Sequence, residues 1–428
     1  MVSNLNPNIY FDGAYFSAVP DSVRNEIAKY SKQKDVDSGR ISFCGFVYED
    51  ESFHLFLPKG SEKVVNFQDA LGRARLLFGA LEKYYRSDES FLNRDGKSSL
   101  AGDPQIFPLI KDILKDFNLN GFYTNSSYYK KRGHTGKTDW PSTIKKLIPY
   151  LSDNNVIYPD FINRLPDHRT SSEITSIHEW VLQDISRKFG WLFANTPLEI
   201  IPINTKKSLL NFSKSIHLIK NEMRIVYSES KIYTLKNLLR YLEKDLVSGD
   251  KGAVAYGFND FQWVWEHMLK RVLEPTANFN MPYPAYLDSS EKIIPMIRKG
   301  QRVDIFLHDE DSKRVCVVDA KYYIASNPSN APGWPDLVKQ FFYAKSLLAG
   351  SVNTSVKYVQ NYFIFPGKPS AETPLEAFVL DKDGKTRLDN DFPPIACCFV
   401  NPDEVLNSYV SGTVLISLRN RLLDFNAG

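Results

Sequence analysis

Apolar residues recur at three- and four-residue steps along several stretches of the chain, and each stretch predicts a helix with one buried face. Val65, Phe67, Ala70, Ala74, Leu77, Leu81 and Tyr84 place one over 62–88, and Ile106, Leu109, Ile110, Ile113 and Leu114 place another over 104–117. A third runs over 171–191 (SSEITSIHEWVLQDISRKFGW), from the candidate N-caps Ser171 and Ser172 to Gly190, where a C′ glycine is expected. Two basic amphipathic helices follow over 206–226 and 230–247, bearing Lys206, Lys207, Lys214, Lys220, Arg224, Lys231, Lys236 and Arg240. Alternation is rarer in this half. Residues 41–57 (ISFCGFVYEDESFHLFL) read as a hairpin around Glu49–Asp50–Glu51, while 120–143 are polar and turn-rich.

The pattern changes after VSGDKGAVAYG (247–257), where the main domain boundary is placed. A helix at 258–273 precedes strands near 292–297, 302–308 and 314–320; a helix at 335–349, a strand at 357–365, a hairpin in AFVLDKDGKTRLD and apolar segments near 395–400 and 412–417 follow. This half reads as α/β. The expected division is an N-terminal module (1–125) that binds DNA or a partner, a mainly helical linking and DNA-contact region (126–250), and a C-terminal domain (251–428).

Hydrophobic residues make up 43% and charged residues 24% of the 428, proportions that exclude a largely disordered chain. A net charge of +3 gives no global argument for a nucleic-acid partner, so one has to come from local patches. Cys44, Cys316, Cys397 and Cys398 form no CxxC pair, and the seven histidines are scattered, which disfavours thiolate zinc and a disulfide framework. The opening MVSNLNPNIYFDG lacks a signal-peptide pattern and no run of about 18 apolar residues occurs, so a reduced, cytoplasmic protein is expected. Gly136-Lys137-Thr138 and Gly384-Lys385-Thr386 lack the glycine five residues upstream that a phosphate-binding loop needs; Lys131 and Val379 stand there.

The densest chemistry lies in QRVDIFLHDEDSKRVCVVDAKYYIAS, residues 301–326. Asp304 sits in a β-type run with Val303, Ile305 and Leu307, a turn follows at His308–Lys313, and Val315, Val317 and Val318 lead into Asp319-Ala320-Lys321. The aspartates are 319 − 304 = 15 residues apart, a separation that suits a hairpin whose second strand returns beside the first. Asp319 and Lys321 share a face by alternation. Two carboxylates and an ammonium ending an apolar hairpin are costly unless something binds there. Carboxylates from two strands suit Mg²⁺, which keeps waters and phosphate oxygens in its shell. A lysine beside them can orient the attacking water or balance charge on the scissile phosphate. The bland alternative is a surface salt bridge.

Gln340, three residues before Tyr343 in the 335–349 helix, could steady that water or touch a phosphate, or sit on a solvated edge. Glu266, beside the apolar stripe Phe261, Trp265, Met268 and Val272, could add a third carboxylate or pair with Lys270 at i+4. The local basic patch comprises Tyr129, Lys130, Lys131, Arg132, Lys137, Lys145 and Lys146. Lysine and arginine neutralise phosphates while tyrosine stacks or hydrogen-bonds, so these are candidate DNA contacts; a partner contact or a solvated loop fits as well.

Asp304…Asp319-Ala320-Lys321 resembles the PD-(D/E)XK nuclease signature, with Asp in place of the commoner Glu and Val303 where Pro often stands. The series VWEHML, RVDIFL, VVDAKYY, a Trp-Pro-Asp turn, VKQFFYA and NYFIFP is similar to the LlaJI-type restriction endonuclease family, related to the McrC nuclease subunit of McrBC-type systems. GKTDWPSTIKKLIP…VIYPD (136–160) and RTSSEITSIHEWVL (169–182) extend the resemblance, which runs from about 130 to 400. It implies an α/β, restriction-endonuclease-like core, a mixed sheet flanked by helices; the pattern of the first half, which the resemblance does not reach before about residue 130, predicts a mainly helical N-terminal module with room for a small β element. The resemblance also implies hydrolysis of foreign double-stranded DNA with Mg²⁺, or Mn²⁺ in its place. Asp304 and Asp319, with Glu266 as a third, are the implied metal ligands; Lys321 is the catalytic lysine and Gln340 a supporting polar residue. The implied partners are double-stranded DNA, an AAA+ GTPase subunit, a second copy of the chain and a cognate methyltransferase, with no membrane. The alternatives are a self-sufficient Type II endonuclease and a DNA-binding scaffold with an inactive nuclease fold.

Overall fold

The computed structural model describes residues 7–30, 39–49, 52–87, 100–101, 106–124, 127–152, 155–167, 173–193, 211–243, 254–274, 282–297, 302–309, 313–350, 356 and 358–424. The chain divides into two compact units, Met1–Pro104 with Lys251–Gly428, and Gln105–Asp250.

The first unit contains two five-stranded sheets. In one, Ser52–Leu57 lies between Asn8–Phe11, which is parallel to it, and Cys44–Glu49, which is antiparallel. Val254–Phe258 pairs with the other side of Cys44–Glu49, and Leu100–Ala101 takes the edge. The end of the 247–257 segment, read from the sequence as a loop, is thus a strand built into the N-terminal sheet. The hairpin expected over 41–57 is present as Cys44–Glu49 and Ser52–Leu57, at the centre of a five-stranded sheet that accompanies the helices of the N-terminal module. Its central strands are covered on both faces: Phe46 meets Phe78 of the helix Phe67–Ser87 at 4.8 Å, while Val47 and Phe56 pack with Val23 and Ile27 of the helix Asp21–Ala28. Strands buried on both sides are rich in apolar residues, as FCGFVY and FHLFL are.

The second sheet has the order Ile305–Asp309, Arg314–Ala320, Tyr358–Pro366, Ile395–Val400, Glu376–Ala377. Its inner pairs, around Tyr358–Pro366, are parallel and its outer pairs antiparallel. The helix Trp334–Gly350 covers one face, with Tyr343 and Leu347 against Val315 and Val317, and Leu337 and Phe341 against Phe363 and Phe365. The helices Gln262–Leu273 and Ile416–Leu423 cover the other, where the Cys316 thiol donates to the Leu422 carbonyl at 2.9 Å.

Smaller expectations shift. His308 lies within the strand Ile305–Asp309 and not in the turn. Ile293–Pro295 pairs with Ala285–Leu287 in a separate hairpin. The apolar stretch near 412–417 is the junction of two helices, Pro402–Ser411 and Ile416–Leu423. Asn401 caps the first by accepting from the Asp403 amide at 3.0 Å, and Gly412 at φ 72° ends it.

The second unit holds the helices Ile106–Asn120, Glu173–Phe193, Phe212–Glu222 and Glu229–Leu242. Gly190 lies inside the third predicted helix, which continues to Phe193, so it is not a C′ residue; Ser171, Ser172, Lys206 and Lys207 lie outside the described residues. Beside these helices the region carries a three-stranded sheet, Ser127–Gly133, Phe161–Asp167 and Lys137–Thr138, and the hairpin Tyr150–Ser152 with Asn155–Ile157, strands that the polar, turn-rich reading of 120–143 did not include. SYYKKRG carries polar side chains on both faces and therefore shows no amphipathic period; its pairing with Phe161–Asp167 makes it a strand.

His178 is buried in this unit, its Nδ1 accepting from the Tyr123 amide at 3.0 Å. Burial pushes its pKa down to about 4, against a smaller upward pull from Asp116. The folded imidazole is therefore neutral, and the unfolded chain binds the extra proton below its ordinary pKa of about 6.5. The stability from this site is complete above that value and is lost as pH falls towards 4, about 3 kcal/mol in all. Thermal unfolding of wild type and His178→Asn between pH 7 and 4 should show the wild type losing more. Parallel curves would remove His178 from the acid response.

Candidate active site

Ile305 stands opposite Val318 in the antiparallel pair, so the next step outward sets Asp304 opposite Asp319. Residues directly opposite in such a pair project to the same side. The Ala320 amide donates to Asp304 Oδ2 at 3.0 Å, and a further hydrogen bond joins the two carboxyl groups. Burial, then the negative charges of Glu266 and Asp319, raise the Asp304 pKa well above the usual carboxylate range; the Ala320 amide opposes them. Two carboxylates this close repel unless a proton or a cation lies between them.

Lys321 follows on the same face. Its ammonium is 2.9 Å from Asp319 Oδ2 and 2.9 Å from Asp336 Oδ1, with the Phe363 ring centroid 5.5 Å away. Burial works against its charge, but the two carboxylates outweigh burial and hold its pKa above the ordinary value. Asp336 was visible in the sequence only as the end of a Trp-Pro-Asp turn. Its spacing is the signal that could have found it: Asp336, Gln340 and Tyr343 stand at i, i+4 and i+7 of one helix and so share a face. The Tyr343 hydroxyl donates to the Arg302 carbonyl at 3.0 Å; burial, then Asp304 and Asp319, raise its pKa.

Gln340 is fully buried, and neither its side-chain oxygen nor its nitrogen has a partner among the described residues. Asn361 donates to its backbone carbonyl at 3.0 Å. The solvated-edge alternative is thereby excluded. Glu266 is half-buried in the helix Gln262–Leu273 and acts on Asp304 through its charge. Among the described residues no three His, Cys, Asp or Glu side chains gather into a metal group. The acceptors in place are therefore the paired Asp304 and Asp319, which fit an ion such as Mg²⁺ that takes one or two carboxylates and completes its shell with waters and phosphate oxygens.

In the second unit the basic residues separate into two kinds. Lys130 is 2.8 Å from Asp139 Oδ2, which also takes the Arg164 guanidinium at 2.9 Å, and Arg132 is bound to Asp160. These lysine and arginine side chains hold the small sheet to the helix and loop beside it. Tyr129, Lys131, Lys137, Lys145 and Lys146 are exposed.

The LlaJI restriction endonuclease family model matches residues 43–381. The chain belongs to the LlaJI restriction endonuclease family. The matched span of this LlaJI-family chain takes in Glu266, Asp304, Asp319, Lys321, Asp336, Gln340 and Tyr343, and the family's chemistry is that of a nuclease. McrC, in a half-complex from a tetradecameric assembly of Thermococcus gammatolerans McrB AAA+ hexamers with bound McrC, is similar at 12% identity and a TM-score of 0.38, over 95% of this chain and 99% of that one. No curated protein matches this LlaJI-family chain. No described helix is long and apolar enough to cross a membrane.

Proposed function

We propose that this chain is a PD-(D/E)XK restriction endonuclease that hydrolyses the phosphodiester bonds of foreign double-stranded DNA with Mg²⁺, at Asp304, Asp319 and Lys321. The observation that carries the reading is the pairing of Asp304 with Asp319 across two strands, with the Lys321 ammonium 2.9 Å from Asp319. Hydrolysis adds a water oxygen to phosphorus in line with the breaking P–O3′ bond, leaving a 5′-phosphate and a 3′-hydroxyl. A divalent ion, when bound, supplies Lewis-acid polarisation of the phosphate and acidifies the attacking water. Asp304 and Asp319 would hold it, with Mn²⁺ able to substitute. The Lys321 ammonium, beside Asp319, would balance charge on the scissile phosphate. Glu266 acts on the pair through its field, and Gln340, on the same helix face as Asp336 and Tyr343, is the supporting polar residue.

Tyr129, Lys131, Lys137, Lys145 and Lys146 are the exposed groups available to a DNA backbone; the Lys130 and Arg132 charges are already matched by Asp139 and Asp160. One site per chain and two strands to cut call for a second copy or an assembled complex. An AAA+ GTPase subunit is the partner proposed, and a cognate methyltransferase would protect the host DNA.

The test is incubation of purified chain with plasmid and phage DNA, unmethylated and cytosine-methylated. Cleavage is expected with Mg²⁺ or Mn²⁺, none with EDTA, and recovery on adding Mg²⁺ back. Discrete fragments from the chain alone would favour a self-sufficient Type II enzyme, and cleavage only with the AAA+ subunit and GTP a partnered one. Intact DNA under all these conditions, from folded protein, would leave the inactive scaffold.

A further inference from the structure

The chain leaves the strand Arg314–Ala320 through Lys321, whose amide still donates to the Ile364 carbonyl at 2.9 Å. The next residue, Tyr322, turns the opposite way from Lys321. Its ring lies against Phe261 and Trp265, with centroids 5.4 and 6.1 Å away. Its hydroxyl ends among groups supplied by the N-terminal sheet. The Lys59 amide donates to it at 3.0 Å, the Cys44 thiol is 3.3 Å away, and it is hydrogen-bonded to the Asp12 carboxylate. The Lys59 ammonium stands 3.8 Å from Asp12 Oδ2 and 5.0 Å from the Tyr322 ring centroid. Asp12, Cys44 and Tyr322 are all buried.

A hydrogen bond between buried polar groups is stronger than one in water, and a network of them fixes one arrangement in preference to others. Here each of its members outside Tyr322 comes from a strand end of the N-terminal sheet: Asp12 follows Asn8–Phe11, Cys44 opens Cys44–Glu49, and Lys59 follows Ser52–Leu57. Tyr322 is separated by one peptide bond from the lysine of the candidate active site. We infer that the Tyr322 hydroxyl, held by Asp12 and the Lys59 amide, is the anchor that sets the backbone of residues 320–322 and hence the direction in which Lys321 leaves the strand. Tyr322 and Asp12 are positioning residues, and three strand ends of the N-terminal sheet serve the strand that carries Lys321. In its bearing on catalysis the inference rests on the nuclease reading.

Tyr322→Phe in the full chain removes one oxygen and keeps the ring. Two readouts decide the matter. Hydrogen exchange by mass spectrometry should show the amides of 320–323 exchanging about tenfold faster than in wild type, because a lost anchor permits local opening. The kcat for Mg²⁺-dependent plasmid cleavage should fall about tenfold or more with KM unchanged, as expected when a reacting group is displaced but substrate binding is not. Asp12→Asn should do the same, and the double variant should lose no more than either alone. It also provides the test should Tyr322→Phe fail to fold. Wild-type exchange at 320–323 in a folded variant overturns the anchor. So does a kcat loss fully accounted for by the unfolded fraction. If wild type cleaves no DNA, the nuclease reading fails by itself, and the exchange measurement still decides whether the anchor exists.

Discussion

Lys321→Ala should abolish DNA cleavage, lowering the rate by roughly 10³-fold, while the chain continues to fold. The magnitude is that of removing one preorganised charge or donor from the place where negative charge develops. The ammonium is positioned for that task, 15% exposed and held between Asp319 and Asp336 at 2.9 Å each. No water-filled search for its position is then needed when a phosphate arrives. The fold should survive because Lys321 contributes its amide to the ladder, and alanine keeps that bond to Ile364. The two carboxylates left behind lose a shared cation, but Asp336 is 30% exposed and retains access to water. Plasmid nicking rates of the two proteins, with circular dichroism to confirm folding, provide the measurement. Cleavage by Lys321→Ala within tenfold of wild type would take the lysine out of the mechanism.

The candidate site was legible where it depends on local pairing. Alternation in RVDIF and RVCVVD fixes two strands and a short return, and the register Ile305 opposite Val318 then leaves Asp304 opposite Asp319. Alternation also puts Lys321 on the same face as Asp319. Groups that reach the site across longer loops were not legible in the same way. Asp336 meets Lys321 only after the irregular segment 321–333 brings the helix back over the sheet, and no periodicity marks that return. Gln340 was found, but its depth was not: exposure of a helix position depends on what covers it, and here it is fully buried. Nothing in the sequence singles out Tyr322, because the partners of its hydroxyl, Asp12, Cys44 and Lys59, are far away in the chain. The strand Ser127–Gly133 escaped because it is polar on both faces, and the helix Pro402–Ser411 was missed although Asn401, Pro402 and Gly412 mark both of its ends.

Gly257→Ala should destabilise the first unit by about 3 kcal/mol, the upper range for forcing atoms into a packed interior. Gly257 stands directly opposite Gly45 in the antiparallel pairing of Val254–Phe258 with Cys44–Glu49. A Cβ on Gly257 would lie 2.2 Å from the Cys44 carbonyl oxygen and 2.6 Å from the Phe43 ring, and one on Gly45 would lie 2.2 Å from the Tyr256 carbonyl oxygen. Gly45 also has φ +150°, which L side chains rarely adopt. The collision at Gly257 is with backbone, so no rotamer change relieves it; the two strands must separate. These strands join the N-terminal sheet to the chain beyond residue 250, and Cys44 is one of the groups around the Tyr322 hydroxyl. Separation should therefore loosen Lys321 as well as the sheet. Thermal unfolding should fall by about 6 °C or more. Gly72→Ala in the helix Phe67–Ser87, where nothing lies within 4 Å of the new Cβ, is the control and should leave the transition unchanged or raise it. Equal transitions for the two variants would mean that the strands at Gly45 and Gly257 have room to part without cost, and the close approach would then not be what requires glycine there.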